Sequence, residues 1–152
     1  MKQISCYQTV NTLLEKTVCL VAEKCYLNNF RVIIITPDVE MQELINKVLW
    51  SYSQKQFIPH GSSLDPAPEI QPVYITTDIL RNQNNANALI FVNKFIPTTS
   101  LLDFDRVSMI YNNDNEFLFK EVSDYINGLN TDNIKIDRYK QTLKGNWELI
   151  PI

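Results

Sequence analysis

The stretch Arg31-Val32-Ile33-Ile34-Ile35-Thr36 decides the fold. A strand with one wet face alternates apolar and polar residues. A run that is apolar and β-branched at every position has to be buried on both faces, as in a parallel sheet held between layers of helix. Working upstream, residues 3–8 alternate, with Ile4 and Cys6 on one face, and read as a first strand. Between the two strands, Leu14, Val18, Val21 and Cys25 recur at helical spacing, and Leu13, Ala22 and Tyr26 widen the stripe. Thr12-Leu13-Leu14-Glu15 has the form of a capping box, and Asn28-Asn29 offers a residue tolerant of the left-handed conformation to stop the helix. Strand, helix and strand in this order make a βαβ unit.

Downstream, Pro37-Asp38 opens a second helix whose stripe is Met41, Leu44, Ile45, Val48 and Leu49, closed by Trp50. Residues 51–71 carry Pro59, Pro66, Pro68 and Gly61 and read as an irregular connection. Strands are predicted at Val73-Tyr74-Ile75, Ala88–Val92 and Val107–Tyr111, with a polar turn at 82–87. Asn112-Asn113-Asp114-Asn115 can cap a helix over 115–126 with Phe117, Leu118, Val122 and Tyr125 facing inward. After a loop at 127–133, a basic helix is predicted over 134–144, ended by Gly145. The expected fold is one three-layer α/β/α domain over residues 1–152. Its central sheet is mainly parallel, Rossmann-like but without a glycine-rich loop.

Composition narrows the function classes. The chain has 152 residues, enough for one ordinary domain with a sizeable core. Its net charge of −3 argues against a protein whose main task is gripping nucleic-acid phosphates. Cys6, Cys19 and Cys25 are odd in number and form no C-x-x-C, which fits free, buried thiols in a reducing compartment. No apolar run approaches the ~18 residues needed to span a bilayer, and the N-terminal residues enter the strand pattern without a signal-peptide core. A cytoplasmic protein without membrane attachment is expected.

Catalytic chemistry finds little support. The first strand-to-helix turn, Gln8-Thr9-Val10-Asn11-Thr12, has no glycine, and no G-x-x-x-x-G-K-[ST] occurs, so phosphate has no backbone cradle. His60, the sole histidine, sits between Pro59 and Gly61, and nothing in the spacing brings a cysteine to it. A small enzyme built on His60 remains an alternative reading. Asp38, Glu40 and Glu43 complement the start of the second helix rather than form a site. No metal and no cofactor is expected.

Two surface features stand out. Trp50 and Phe57-Ile58-Pro59-His60 put large aromatics beside a Pro-bounded loop. They serve either as interface anchors or as pins holding the loop to the core. The second feature is the basic stretch, where Lys135, Arg138, Lys140 and Lys144 face a single Asp137, with Tyr139 inside it and Trp147 just beyond. Cations with aromatic neighbours suit an acidic peptide, a solvated helix face, or, as a further alternative, single-stranded DNA.

Leu49-Trp50 followed by Phe57-Ile58-Pro59-His60 resembles the L-W…F-[IV]-P-H signature of the chi subunit of bacterial DNA polymerase III. Weaker similarities run along the whole chain: Cys6-Tyr7, Ile34-Ile35-Thr36-Pro37-Asp38, Pro72-Val73-Tyr74-Ile75, Leu89–Asn93, Phe104-Asp105-Arg106-Val107, and Arg138-Tyr139-Lys140 with Gly145 and Leu149. The resemblance implies a non-catalytic accessory subunit of the clamp-loader assembly. It would bridge the psi subunit and the acidic, phenylalanine-terminated tail of single-stranded DNA-binding protein, without binding DNA itself. By motif, Trp50, Phe57, Pro59 and His60 would face psi. Lys120, Lys135, Arg138, Tyr139 and Lys140 would face the tail. The family usually has Arg three residues before the tyrosine that matches Tyr139, where this chain has Ile136.

Overall fold

In the computed structural model, residues 2–10, 12–51, 58–78, 82–96, 99–129 and 132–150 are described. In chain order they form β1 (Lys2–Thr9), α1 (Leu14–Leu27), β2 (Val32–Ile35), α2 (Val39–Ser51), β3 (Gly61–Ser62), β4 (Val73–Thr76), β5 (Ala88–Val92), β6 (Arg106–Asn112), α3 (Glu116–Asn127), β7 (Ile134–Gln141) and β8 (Trp147–Leu149). The strands make one sheet in the order β3-β4-β2-β5-β6-β1-β7-β8. Every neighbouring pair is parallel except β7 with β8.

The isoleucine run is sealed on both sides. Ile33 and Ile35 join Leu89, Phe91, Met109 and Tyr111 under α3, which contributes Leu118, Val122 and Ile126. Val32 and Ile34 join Val73, Ile75 and Ile90 under the other two helices, which contribute Val18, Ala22, Ile45 and Leu49. Two helices on one face and one on the other make the expected three layers. Burying each such side chain contributes roughly 1.5–3 kcal/mol. Among the described residues, no helix is long and apolar enough to cross a membrane.

Local chemistry sets two helix starts. Asp38 Oδ1 accepts from the Met41 amide at 2.8 Å, and Asn115 Oδ1 accepts from the Leu118 amide at 3.2 Å. The capping box expected at Thr12 does not form, and α1 has no side-chain cap. Gln141 outcompetes it: its Oε1 accepts from the amides of Val10 (3.1 Å) and Thr12 (2.8 Å), and its Nε2 donates to the Thr12 hydroxyl.

Two further expectations are corrected. Residues 134–144 are not a helix but strand β7 and the start of a hairpin into β8. The physical reason is the period-two alternation of Ile134 and Ile136, both packed on the core from a strand registered beside β1. Gly145, with φ 91°, lies in the hairpin turn. The positive φ that suits glycine to a helix stop suits it equally to this turn. Phe117 does not face inward: it is 75% exposed, one residue out of step with the buried stripe of Leu118, Val122 and Ile126.

Candidate functional site

The groups that could do covalent chemistry are muffled. Burial pushes the Cys6 and Cys19 thiols up to about 12 and the Cys25 thiol up to about 11, so none is an available thiolate near neutrality. At Cys6 the nearby Arg138 charge opposes burial and loses to it. Both ring nitrogens of His60 face backbone carbonyls, Nδ1 at 2.7 Å from Ile58 O and Nε2 at 3.1 Å from Asn46 O. That imidazole staples the chain before β3 onto α2. At the first strand-to-helix turn, where a nucleotide-binding fold offers amides to phosphate, Gln141 takes the amides of Val10 and Thr12.

The sequence-selected aromatic face is partly assembled. Along α2, Ile45 and Leu49 are buried, and a residue one step beyond Leu49 turns about 100° away from the core. Trp50 occupies that step and is 63% exposed. Its ring lies 5.1 Å from the His60 ring, edge to face, with Pro59 half-buried alongside in sequence. Phe57 lies outside the described residues. The interface reading of Trp50 therefore has the exposure it needs, while His60 is buried and acts by holding the loop.

The sequence-selected basic set is divided by the strand. Side chains on a strand alternate between faces, so Lys135 and Tyr139 share one side of β7 and Arg138 and Lys140 the other. Arg138 is only 5% exposed, its guanidinium 4.7 Å above the Phe119 ring. Its Nε and Nη2 have no hydrogen-bond partner among the described residues. Lys120 on α3 and Lys140 are exposed. Lys135 pairs with Asp137 at 3.6 Å. These five residues do not converge on one pocket.

A feature the sequence reading missed lies on the α1 side of the sheet. Beyond β6, α1 no longer covers the strands. Gln3, Ser5 and Ser108 form a polar floor, and Val21, Lys24 and Cys25 a wall, of a cleft of about 410 Å³. Tyr7 stands at its side, stacked on Tyr139 with centroids 5.3 Å apart and met edge-on by Trp147. Arg106 lines the cleft with its guanidinium 5.1 Å over the Phe30 ring. The missed clue was the polar face of β1, where Gln3 and Ser5 alternate with Ile4 and Cys6.

Comparison with known proteins accords with the L-W…F-[IV]-P-H resemblance. The family described as DNA polymerase III chi subunit, HolC, matches residues 1–122. The chain belongs to the DNA polymerase III chi subunit family. It is also similar to a protein of Rickettsia prowazekii (strain Madrid E) named "Probable DNA polymerase III subunit chi". The two are 42% identical over 156 residues, covering 99% of this chain and 93% of the relative. Chi is an accessory subunit rather than a catalytic one, so this chi-family chain serves DNA replication within the polymerase assembly. The family match takes in Trp50, Pro59, His60 and Lys120 and ends inside α3. Lys135, Arg138, Tyr139 and Lys140 stand beyond it, on the β7–β8 hairpin.

Proposed function

We propose that this chi-family chain is a cytoplasmic adaptor with two partner surfaces, joining the psi subunit to the acidic, phenylalanine-terminated tail of single-stranded DNA-binding protein. The observation that carries the first half is Trp50, a large indole held in solvent at the end of a rigid helix and braced by the stapled His60 ring. Tryptophans so presented are frequent anchors of protein interfaces. Pro59, His60 and Phe57 complete the proposed psi-facing surface, with His60 positioning the loop rather than touching the partner. The second half is supported by aromatics next to cations at the β7 side of the molecule. There Tyr139 and Lys135 share one side of β7, while the exposed Lys140 lies on its other side and the exposed Lys120 on α3. Arg138 would act there only indirectly, through the packing of β7 beneath Phe119.

Titration of purified psi into the full chain tests the first half. Trp50→Ala should weaken binding by about tenfold or more while leaving the thermal midpoint in place. Unchanged affinity would remove this face from the proposal.

A further inference from the structure

We infer that the outer edge of β8 takes an extended segment of a partner protein as a further antiparallel strand, with a lysine or arginine of that segment opposite Glu148. This goes beyond the two surfaces proposed above, and its occupant is opposite in charge to the acidic tail.

The edge is open by its hydrogen bonding. β8 ends the sheet order and pairs with β7 alone. Thr142 N–H donates to Asn146 O at 2.7 Å, and Ile150 N–H donates to Arg138 O at 2.8 Å. Bonded pairs alternate along an antiparallel ladder, so Asn146, Glu148 and Ile150 turn their backbone groups to β7. Trp147 and Leu149 turn theirs outward. Among the described residues, those outward N–H and C=O groups have no backbone partner. Nor does β8 carry the lysine, proline or bulge that commonly blunts an exposed edge.

The side chains are sorted by face. Trp147 and Leu149 share the side of Tyr7 and Tyr139. Trp147 meets Tyr7 edge-on at 5.8 Å, and Leu149 is 64% exposed. Glu148 is exposed on the other side, opposite Lys140 in the register. Among the described residues it forms no ion pair, with Lys140 or any other cation.

Glu148 selects the occupant. A strand bonded to Trp147 and Leu149 places one residue opposite Glu148 at a non-hydrogen-bonded position, where facing side chains come closest. A cation there is attracted and an acid repelled. A second copy fails by this rule, because the symmetric pairing that uses all four outward groups sets Glu148 of each copy against the other. Neighbouring symmetric registers call on Gly145, whose N–H already donates to Thr142 O at 2.9 Å, or on Pro151, a residue type without an N–H. An acidic tail is repelled in the same way. The residues flanking the cation face Trp147 and Leu149, where β-branched or aromatic side chains make favourable cross-strand pairs.

The test is amide-resolved NMR of the full chain, titrated with a short blocked peptide carrying Val-Lys-Val between threonines. The Trp147 and Leu149 amides should shift first. Replacing the central lysine of the peptide by glutamate should weaken binding about fivefold, and Glu148→Lys, at an exposed position, should reverse that preference. N-methylation of the two valines should remove binding, while N-methylation of the lysine, whose N–H points away from the edge, should preserve it. No shift at Trp147 and Leu149 would overturn the inference, as would equal binding of the lysine and glutamate peptides. Tighter binding of an acidic, phenylalanine-terminated peptide at these same amides would also overturn it. So would sedimentation showing wild-type dimers that Leu149→Pro abolishes, since the edge would then serve a second copy.

Discussion

The sheet is one continuous structure with two kinds of flank. At β2 and β5 both faces are sealed, and every residue of both strands is buried. At β1 and β7 the α3 face is sealed by apolar packing, and the opposite face carries Gln3, Ser5 and the paired Tyr7 and Tyr139. The first arrangement holds the fold together. The second leaves backbone-supported side chains, rigidly spaced, available to a partner. A protein that works by association needs both, and here the division falls along the sheet rather than between separate domains.

Breaking the sealed flank should cost most. Ile34→Ala should destabilise by about 2–5 kcal/mol in urea unfolding, because the site between helices cannot collapse. A loss below about 1 kcal/mol would mean β2 is looser than its burial suggests.

The buried thiols give the next largest effect, and it depends on pH. Their folded pKa values are raised to about 11–12, against roughly 8.5 for an unfolded thiol. Between those values the folded chain keeps protons that the unfolded chain has lost, so this stability is complete below pH ~8.5 and falls as pH rises. The decline should be about 1 kcal/mol per thiol per pH unit, seen as a drop in urea midpoint from pH 7 to 9.5. A variant with Cys6, Cys19 and Cys25 replaced by alanine should show a flatter profile.

Gln141→Ala tests the junction of the two flanks. It leaves the amides of Val10 and Thr12 without their acceptor and should cost about 1–3 kcal/mol. Hydrogen exchange should rise at those amides first. The smallest effect belongs to the open face: Lys135→Ala removes the exposed lysine from its 3.6 Å pair with Asp137, which keeps its bond from Gln3, and should change stability by less than about 1 kcal/mol.

How much was legible follows the same division. The sealed strands announced themselves through uninterrupted β-branched residues, as in Val32–Ile35 and Ala88–Val92. The half-open strand β7 did not. Its two isoleucines are followed by Arg138 at the next inward position, so the apolar alternation stops where a buried cation replaces it, and the charged residues between looked like a helical face. Trp50 was legible as a candidate because it is a large aromatic at the end of the α2 stripe, next to the Pro-bounded loop that carries His60. The cleft was not, because its walls come from α1, β1 and β6, brought together only by the sheet order. Gln141 was illegible for a similar reason: its partners lie 131 and 129 residues away.

The central claim is that two separate surfaces operate at once. His60 adjoins β3 at one edge of the sheet and Tyr139 lies on β7, six strand spacings away, or roughly 29 Å. The most direct measurement is calorimetric titration of the acidic, phenylalanine-terminated peptide into the chain already saturated with psi. The account predicts a dissociation constant within about twofold of that measured without psi. Displacement of one ligand by the other would contradict it.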